Sequence, residues 1–246
     1  MSRTIFFDLD NTLYNYDRMS VIADRAIGEY CELQYGIPAE QAIRETYDSM
    51  NEITDRMGPS NSAVHDRMIR FKDVLVKHGL PVFPGAREMY ELYWGTIFQH
   101  MTPEPGVYAF LTALKNRGFR IYCGTNMTSR IQYLKIQTLG MGSLFTDMIT
   151  SEEACAEKPQ KEFFLYCAKV AGVKPEECVF VGDDYELDIK GSRAAGMKGI
   201  HYYPEKFESS HMKAAPGIPV ITDYRDLEAC LRLVEGLAEN GEKDNK

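Results

Sequence analysis

Short apolar runs that alternate with helical stretches limit the fold of this chain more than any other feature. Thr4–Leu9, Phe119–Cys123, Met148–Thr150, Cys178–Val181, Gly199–Tyr203 and Val220–Ile221 are each too short for a helix and end at polar or turn residues, the pattern of buried strands. Helical periods lie between most of them, which predicts an α/β fold: a Rossmann-like, doubly wound parallel sheet with helices on both faces. The first run stands apart from the others. From Asn15 to Met101 the pattern is helical, broken at Tyr35-Gly36-Ile37-Pro38, Gly58-Pro59, His78-Gly79-Leu80-Pro81 and Phe83-Pro84-Gly85. Four helices inserted into the α/β core account for this. The expected domains are a core of residues 1–14 and 103–235, an inserted α-helical domain of residues 15–102, and a flexible polar tail of residues 236–246.

Ligands in such sheets bind outside the carboxyl ends of the strands, so the residues just after each run are the informative ones. The first run ends in Asp8 and Asp10, the second in Thr125 and Asn126. Lys158-Pro159 follows the third, and Gly182-Asp183-Asp184, with Asp188 beyond, follows the fourth. Each residue alone has an ordinary explanation: Asp caps helices and turns, Thr125 could cap a helix, and Lys158 could be a solvated surface lysine. Together they converge several carboxylates with one ammonium and one hydroxyl. Close carboxylates raise one another's pKa unless a cation compensates, and an all-oxygen donor set suits a hard divalent ion, Mg2+. Such an ion beside Lys158 supplies positive charge where a phosphoryl group could sit.

Charge and composition narrow the partners. The chain of 246 residues carries a net charge of -8, which disfavours nucleic-acid polymers and anionic membranes but leaves small anionic metabolites open. Six scattered cysteines have no zinc-like or disulfide-framework spacing. No signal peptide and no membrane-length apolar segment is legible, so a reducing cytoplasm is the expected setting.

The ordered motifs resemble those of the haloacid dehalogenase superfamily of phosphohydrolases. Phe7-Asp8-Leu9-Asp10-Asn11-Thr12-Leu13 is similar to its D-x-D-x-T signature, and Thr125 to its second motif. Lys158-Pro159 with Phe163-Phe164 resembles the third, and Val181 to Asp188 with Gly191, Ala195 and Gly196 the acidic fourth. The resemblance implies that Asp8 is the nucleophile and forms an aspartyl phosphate. It makes Asp10 the general acid and base. Thr125, Asn126 and Lys158 would bind the phosphoryl group, with Thr125 and Lys158 also catalytic. Asp8, the main-chain carbonyl of Asp10, Asp183 and Asp188 would form the Mg2+ site, Asp188 through a water or by orienting Lys158, with Asp184 in an outer shell. Asp10 favours a phosphatase over a dehalogenase, whose members lack that second aspartate. Two departures are visible: Met127 stands where many relatives have Gly, and Cys123-Gly124 where a bulkier residue is common.

The inserted helices resemble the family's helical C1-type cap, which would choose the substrate. Its candidate polar residues are His65, Arg67, Arg70 and Lys72, and its aromatics include Tyr14, Tyr16, Tyr47 and Phe71. Arg67, Arg70 and Phe71 share one helix face, a spacing that fits a substrate wall and ordinary packing alike. The opening segment Phe6 to Tyr14 most resembles the pyrimidine 5'-nucleotidase-like branch, which implies a nucleoside 5'-monophosphate. The alternatives are phosphoglycolate or a sugar phosphate, then a phosphomutase, a dehalogenase or a non-enzymatic phosphate-binding protein.

Overall fold

The computed structural model describes residues 3–58, 61–204 and 217–239. The chain divides into two compact units, one of Met1–Asn15 with Thr102–Lys246, the other Tyr16–Met101.

The first unit is built on six parallel strands: β1 (Thr4–Phe7), β2 (Arg120–Thr125), β3 (Asp147–Thr150), β4 (Cys178–Gly182), β5 (Lys198–Tyr202) and β6 (Val220–Ile221). Their order across the sheet is β3-β2-β1-β4-β5-β6. Every pairing is parallel. This is the doubly wound, Rossmann-like order, and its direction reverses between β1 and β4, the crevice where such sheets bind ligands. β1 is apolar throughout because both of its faces are covered. Phe6 stacks on Tyr122 and Phe180 on one face, in a cluster completed by Phe163, Phe164 and Cys167. Phe7 points to the other face, edge-on to Phe110, which stacks on Tyr224. Burying each such ring is worth about 1.5–3 kcal/mol, so the strand's register is strongly held.

Register also levels the strand ends. Phe7 lies opposite Cys123 on one side and Val181 on the other. The Asp8 amide continues the ladder by donating to the Val181 carbonyl at 2.8 Å. The residues that follow β1, β2 and β4 therefore emerge at one height. Gly124 meets the space available here: a Cβ would lie 3.0 Å from the Phe180 ring, so any side chain would require that ring to shift.

The second unit holds α1 (Tyr16–Tyr35), α2 (Ala39–Met57), α3 (Arg67–Lys77) and α4 (Gly85–His100). α1 buries Met19, Ala23, Ile27 and Cys31, a stripe at four-residue spacing. Gly36 and Gly79, at the turns that follow α1 and α3, have φ values of 69° and 64°, where a side chain is strained. In the first unit the remaining helices are α5 (Val107–Asn116), α6 (Ser129–Thr138), α7 (Ser151–Ala154), α8 (Lys161–Ala171), α9 (Gly191–Ala194) and α10 (Leu227–Glu239). Residues 236–239, expected in the tail, complete the last turn of α10; residues 240–246 lie outside the described residues. Among the described residues, no helix is long and apolar enough to cross a membrane.

Candidate active site

Lys158, 6% exposed, is the centre of the site. Its Nζ donates to Asp8 Oδ1 at 2.5 Å and to Asp188 Oδ1 at 2.7 Å. Burial opposes the Lys158 ammonium, but Asp188 and Asp8 outweigh it and hold its pKa above the ordinary lysine range. Asp188 is placed by an unusual element. After β4 the chain forms a π-type turn over Tyr185–Lys190, capped by Asp184 Oδ1, which accepts the amides of Glu186 and Leu187. The wide turn lays Asp188 over Gly182, where a Cβ would sit 2.3 Å from the Asp188 carboxyl carbon. Gly182 is thus required by close approach rather than by turn conformation. Asp188 Oδ2 accepts the Asp184 amide at 3.0 Å, so both of its oxygens are engaged.

Asp183, also buried, has no lysine within ion-pair distance among the described residues. Its Oδ1 accepts the Thr12 hydroxyl at 2.8 Å, and its amide donates back to Thr12 Oγ1 at 3.1 Å. Asp8, Asp183 and Asp188 each bring a carboxylate oxygen within 4.8 Å of the others. Burial first, then the mutual repulsion of these groups, raises Asp183 well above the usual carboxylate range and Asp188 to about 7. Asp8 is raised as well, by burial with Asp10 adding to it, while Lys158 pulls the other way. Three crowded, desolvated carboxylates with one ammonium are short of positive charge. That donor set fits a hard divalent cation.

Asp10 belongs to a different set of contacts. Its carboxylate turns toward α6, where Lys135 Nζ lies 2.7 Å from Oδ1 and 2.8 Å from Oδ2. The Tyr14 hydroxyl donates to Oδ1, and Gln132 Nε2 reaches Oδ2 at 3.3 Å. Burial would raise the Asp10 pKa, but Lys135 and these hydrogen bonds hold it below the ordinary value. Gln132 Nε2 also donates to Thr125 Oγ1 at 2.7 Å and to the Asn126 carbonyl at 3.0 Å. Asn126 spends its side chain on the Lys158 peptide: Oδ1 accepts its amide at 2.9 Å and Nδ2 donates to its carbonyl at 3.3 Å. The Asn126 side chain, expected to bind the phosphoryl group, is thus engaged with the main chain of Lys158.

Asp8, Asp10, Thr125, Asn126, Lys158, Asp183, Asp184 and Asp188 all line one cleft of about 170 Å3. Sequence does not single out Lys135 and Gln132 for this site, and it gives Thr12, the threonine of the D-x-D-x-T signature, no role of its own. Tyr14, named among the aromatics of the inserted helices yet within the expected core bounds, lies in the sheet unit. Met127 has a φ of 118°, a conformation that favours glycine, and the strain is held by the Ser151 hydroxyl accepting its amide at 2.9 Å.

In the helical unit, Arg67 donates to the Tyr16 hydroxyl at 2.7 Å and lies over the Tyr93 ring. Arg70 is buried and donates to the Val64 carbonyl, and Phe71 is fully buried. Arg70 and Phe71 thus take part in packing, while Arg67 is half-buried.

Comparison with known proteins places these features. A family model described as hydrolase, haloacid dehalogenase-like hydrolase, matches residues 2–196. The chain is 32% identical over 208 residues to the ribulose-1,5-bisphosphate 5-phosphatase of Halopiger xanaduensis, covering 84% of this chain and 87% of that protein. It is 32% identical over 199 residues to the human (Homo sapiens) N-acylneuraminate-9-phosphatase, covering 80% of each. A crystal structure of a 2-haloacid dehalogenase from Pseudomonas syringae shares the fold with a TM-score of 0.75 at 23% identity, covering 94% of this chain and 98% of that one.

Proposed function

Because the chain belongs to the haloacid dehalogenase-like hydrolase family, we propose that it is a Mg2+-dependent phosphomonoester hydrolase working through an aspartyl phosphate on Asp8. The observation that carries this reading is Asp8 itself, buried at the mouth of the sheet crevice, held at 2.5 Å by Lys158 and flanked by Asp183 and Asp188. A carboxylate oxygen of Asp8 attacks phosphorus as the ester P–O bond breaks, and the departing oxygen takes a proton from Asp10. Asp10 then removes a proton from the water that attacks the acyl phosphate, releasing inorganic phosphate and restoring Asp8. In the free protein Asp10 is held ionised, and the negative charge of an arriving phosphate ester raises its pKa and favours the proton it must deliver.

Asp8, Asp183, the Asp10 carbonyl and, through Lys158, Asp188 are the residues that would hold the Mg2+ site together. When bound, the ion supplies positive charge against the phosphoryl oxygens. Thr125, oriented by Gln132, and Lys158 donate to the same oxygens. Asp184 is occupied in capping the π-type turn, which argues for an indirect part in the site.

For substrate, the named relatives act on ribulose 1,5-bisphosphate and an N-acylneuraminate 9-phosphate. These support a small sugar phosphate. The nucleoside 5'-monophosphate reading rests on the opening segment alone. The cleft of about 170 Å3 is small beside the roughly 300–1,000 Å3 of pockets that enclose whole metabolites. It suits a phosphoryl group, and the inserted helices would act as the cap that encloses the remainder and excludes water. A phosphate-release assay over sugar phosphates, phosphoglycolate and nucleoside monophosphates, with Mg2+ and with EDTA, tests the reading. Release from sugar phosphates that stops with EDTA supports it; no release from any ester in Mg2+ refutes it.

A further inference from the structure

Lys135 and Gln132 share a face of α6 at three-residue spacing, and both are fully buried. A buried ammonium loses several kcal/mol of hydration, and a leucine or methionine of similar size would avoid that loss. Gln132 carries a second cost: its Oε1 is buried with no hydrogen-bond partner among the described residues. Asp10 and the Asn126 carbonyl can only accept, so the Gln132 amide must point its nitrogen at them and strand its oxygen. Folding stability explains neither choice. Both are explained by what they hold.

We propose that Lys135, with Gln132 and Tyr14, is the positioning apparatus of Asp10, fixing its carboxylate in the one orientation from which it can reach the leaving-group oxygen. The donors come from separate parts of the chain. Lys135 grips both Asp10 oxygens from α6, Tyr14 approaches Oδ1 from the loop after β1, and Gln132 ties Oδ2 to the Thr125 hydroxyl. Tyr14 is itself anchored, fully buried and bridged to Asp10 and Pro103. Met127 Sδ packs 3.8 Å from Lys135 Nζ. A carboxylate on a free loop would sample several side-chain rotamers, and holding it in one converts proton delivery into a pre-oriented step. The division between lysines is clean: Lys158 serves Asp8 and Asp188, and Lys135 serves Asp10.

This inference rests on the reading of Asp10 as the group that handles the leaving-group proton, and the test separates the two. kcat/KM, which ends at phosphoryl transfer to Asp8, is measured for p-nitrophenyl phosphate and for the sugar phosphate turned over best in the ester panel. The proteins are wild type, Asp10→Asn, Lys135→Met, Tyr14→Phe and the double variant Asp10→Asn/Lys135→Met. Lys135→Met should lose about 10- to 100-fold on the sugar phosphate, within the range of acid-base catalysis, and far less on the aryl ester, whose leaving group needs little protonation. Tyr14→Phe, which removes one hydroxyl from an otherwise intact ring, should show the same selectivity at smaller size. In the Asp10→Asn background, Lys135→Met should add almost nothing. Equal losses on both esters, or a double variant whose losses multiply, overturn the positioning role. If Lys135→Met fails to fold, an unselective Tyr14→Phe overturns it as well. If Asp10→Asn shows no leaving-group selectivity, the assignment of Asp10 itself falls, and this inference with it.

Discussion

Replacing Asp183 by Asn should make the metal-free protein more stable while removing its response to Mg2+. Asp183 faces Asp8 and Asp188 with carboxylate oxygens within 4.8 Å. At an effective dielectric of about 20, each such pair repels by about 3.5 kcal/mol. Lys158 bridges Asp8 and Asp188 and cancels roughly one of the two charges that Asp183 sees. About 3 kcal/mol of uncompensated repulsion remains. Asn retains an oxygen to accept the Thr12 hydroxyl, so the hydrogen bond at 2.8 Å survives the change. For a chain of this length about 1 kcal/mol moves a melting midpoint by roughly 2–4 °C, so the variant should melt on the order of 10 °C higher in EDTA at pH 7.5. The assay is scanning calorimetry, in EDTA and in Mg2+. Wild type should recover most of the difference when Mg2+ is added, and the variant should gain little. A variant that melts below wild type in EDTA, or equal stabilisation of both proteins by Mg2+, would refute the charge-deficit argument.

Asp8→Asn should remove phosphate release from every ester while calorimetry still shows a folded core; residual turnover at more than about a thousandth of wild type would exclude Asp8 as the nucleophile. Gly182→Ala places a Cβ 2.3 Å from the Asp188 carboxyl carbon and must displace Asp188 from Lys158; a loss of both activity and melting temperature is expected, and a crystal structure of the variant that keeps the Lys158–Asp188 ion pair would contradict it. Protons should compete with Mg2+, because Asp188 is raised to about 7 and Asp183 is raised as well. These carboxylates bind protons in the folded, metal-free state at pH values where free Asp does not, so the Mg2+ concentration for half activation should rise about tenfold or more from pH 8 to pH 6. Activation curves that superimpose across that range would rule out these groups as part of the ion's site.

The sheet was legible because its strands are buried on both faces: Phe6 and Phe7 serve opposite cores, and the run they make cannot be an amphipathic helix. Strand ends were less so. The first run extends to Leu9 in sequence, but pairing stops at Phe7 apart from the Asp8 amide, while β2 runs on through Thr125 because that residue pairs with Thr150. The motif residues were found as the polar groups after the strands. Lys135 and Gln132 were not, because a lysine one turn from a glutamine on a helix of mixed composition reads as a solvated face, and only the tertiary approach of Asp10 reverses that reading. Arg67 and Arg70 were legible only as two alternatives. Their charge draws attention to a substrate wall, yet their contacts with Tyr16, Tyr93 and Val64 hold the helical unit together.

The separation of the two lysines gives the site its electrical logic. Asp8, Asp10, Asp183 and Asp188 are crowded beyond the carboxyl ends of the central strands β1 and β4, and if both ammonium groups faced the same carboxylates the positive charge would be pooled where the proposed cation would bind. Instead Lys135 lies behind Asp10, on the α6 side, and leaves the Asp183 face without a lysine. The deficit falls where three carboxylate oxygens converge within 4.8 Å, while Asp10 is held ionised without drawing on Lys158. On the proposed mechanism one lysine would stay with Asp8 while the other fixes Asp10, and a divalent ion would have an attractive place that neither lysine occupies. Moving the Lys135 charge to neutral methionine should accordingly leave Mg2+-induced stabilisation nearly intact, whereas Lys158→Met should change it strongly. Calorimetric titration of the two variants with Mg2+ measures this directly, and comparable changes in both would show that the two halves of the site share one charge balance.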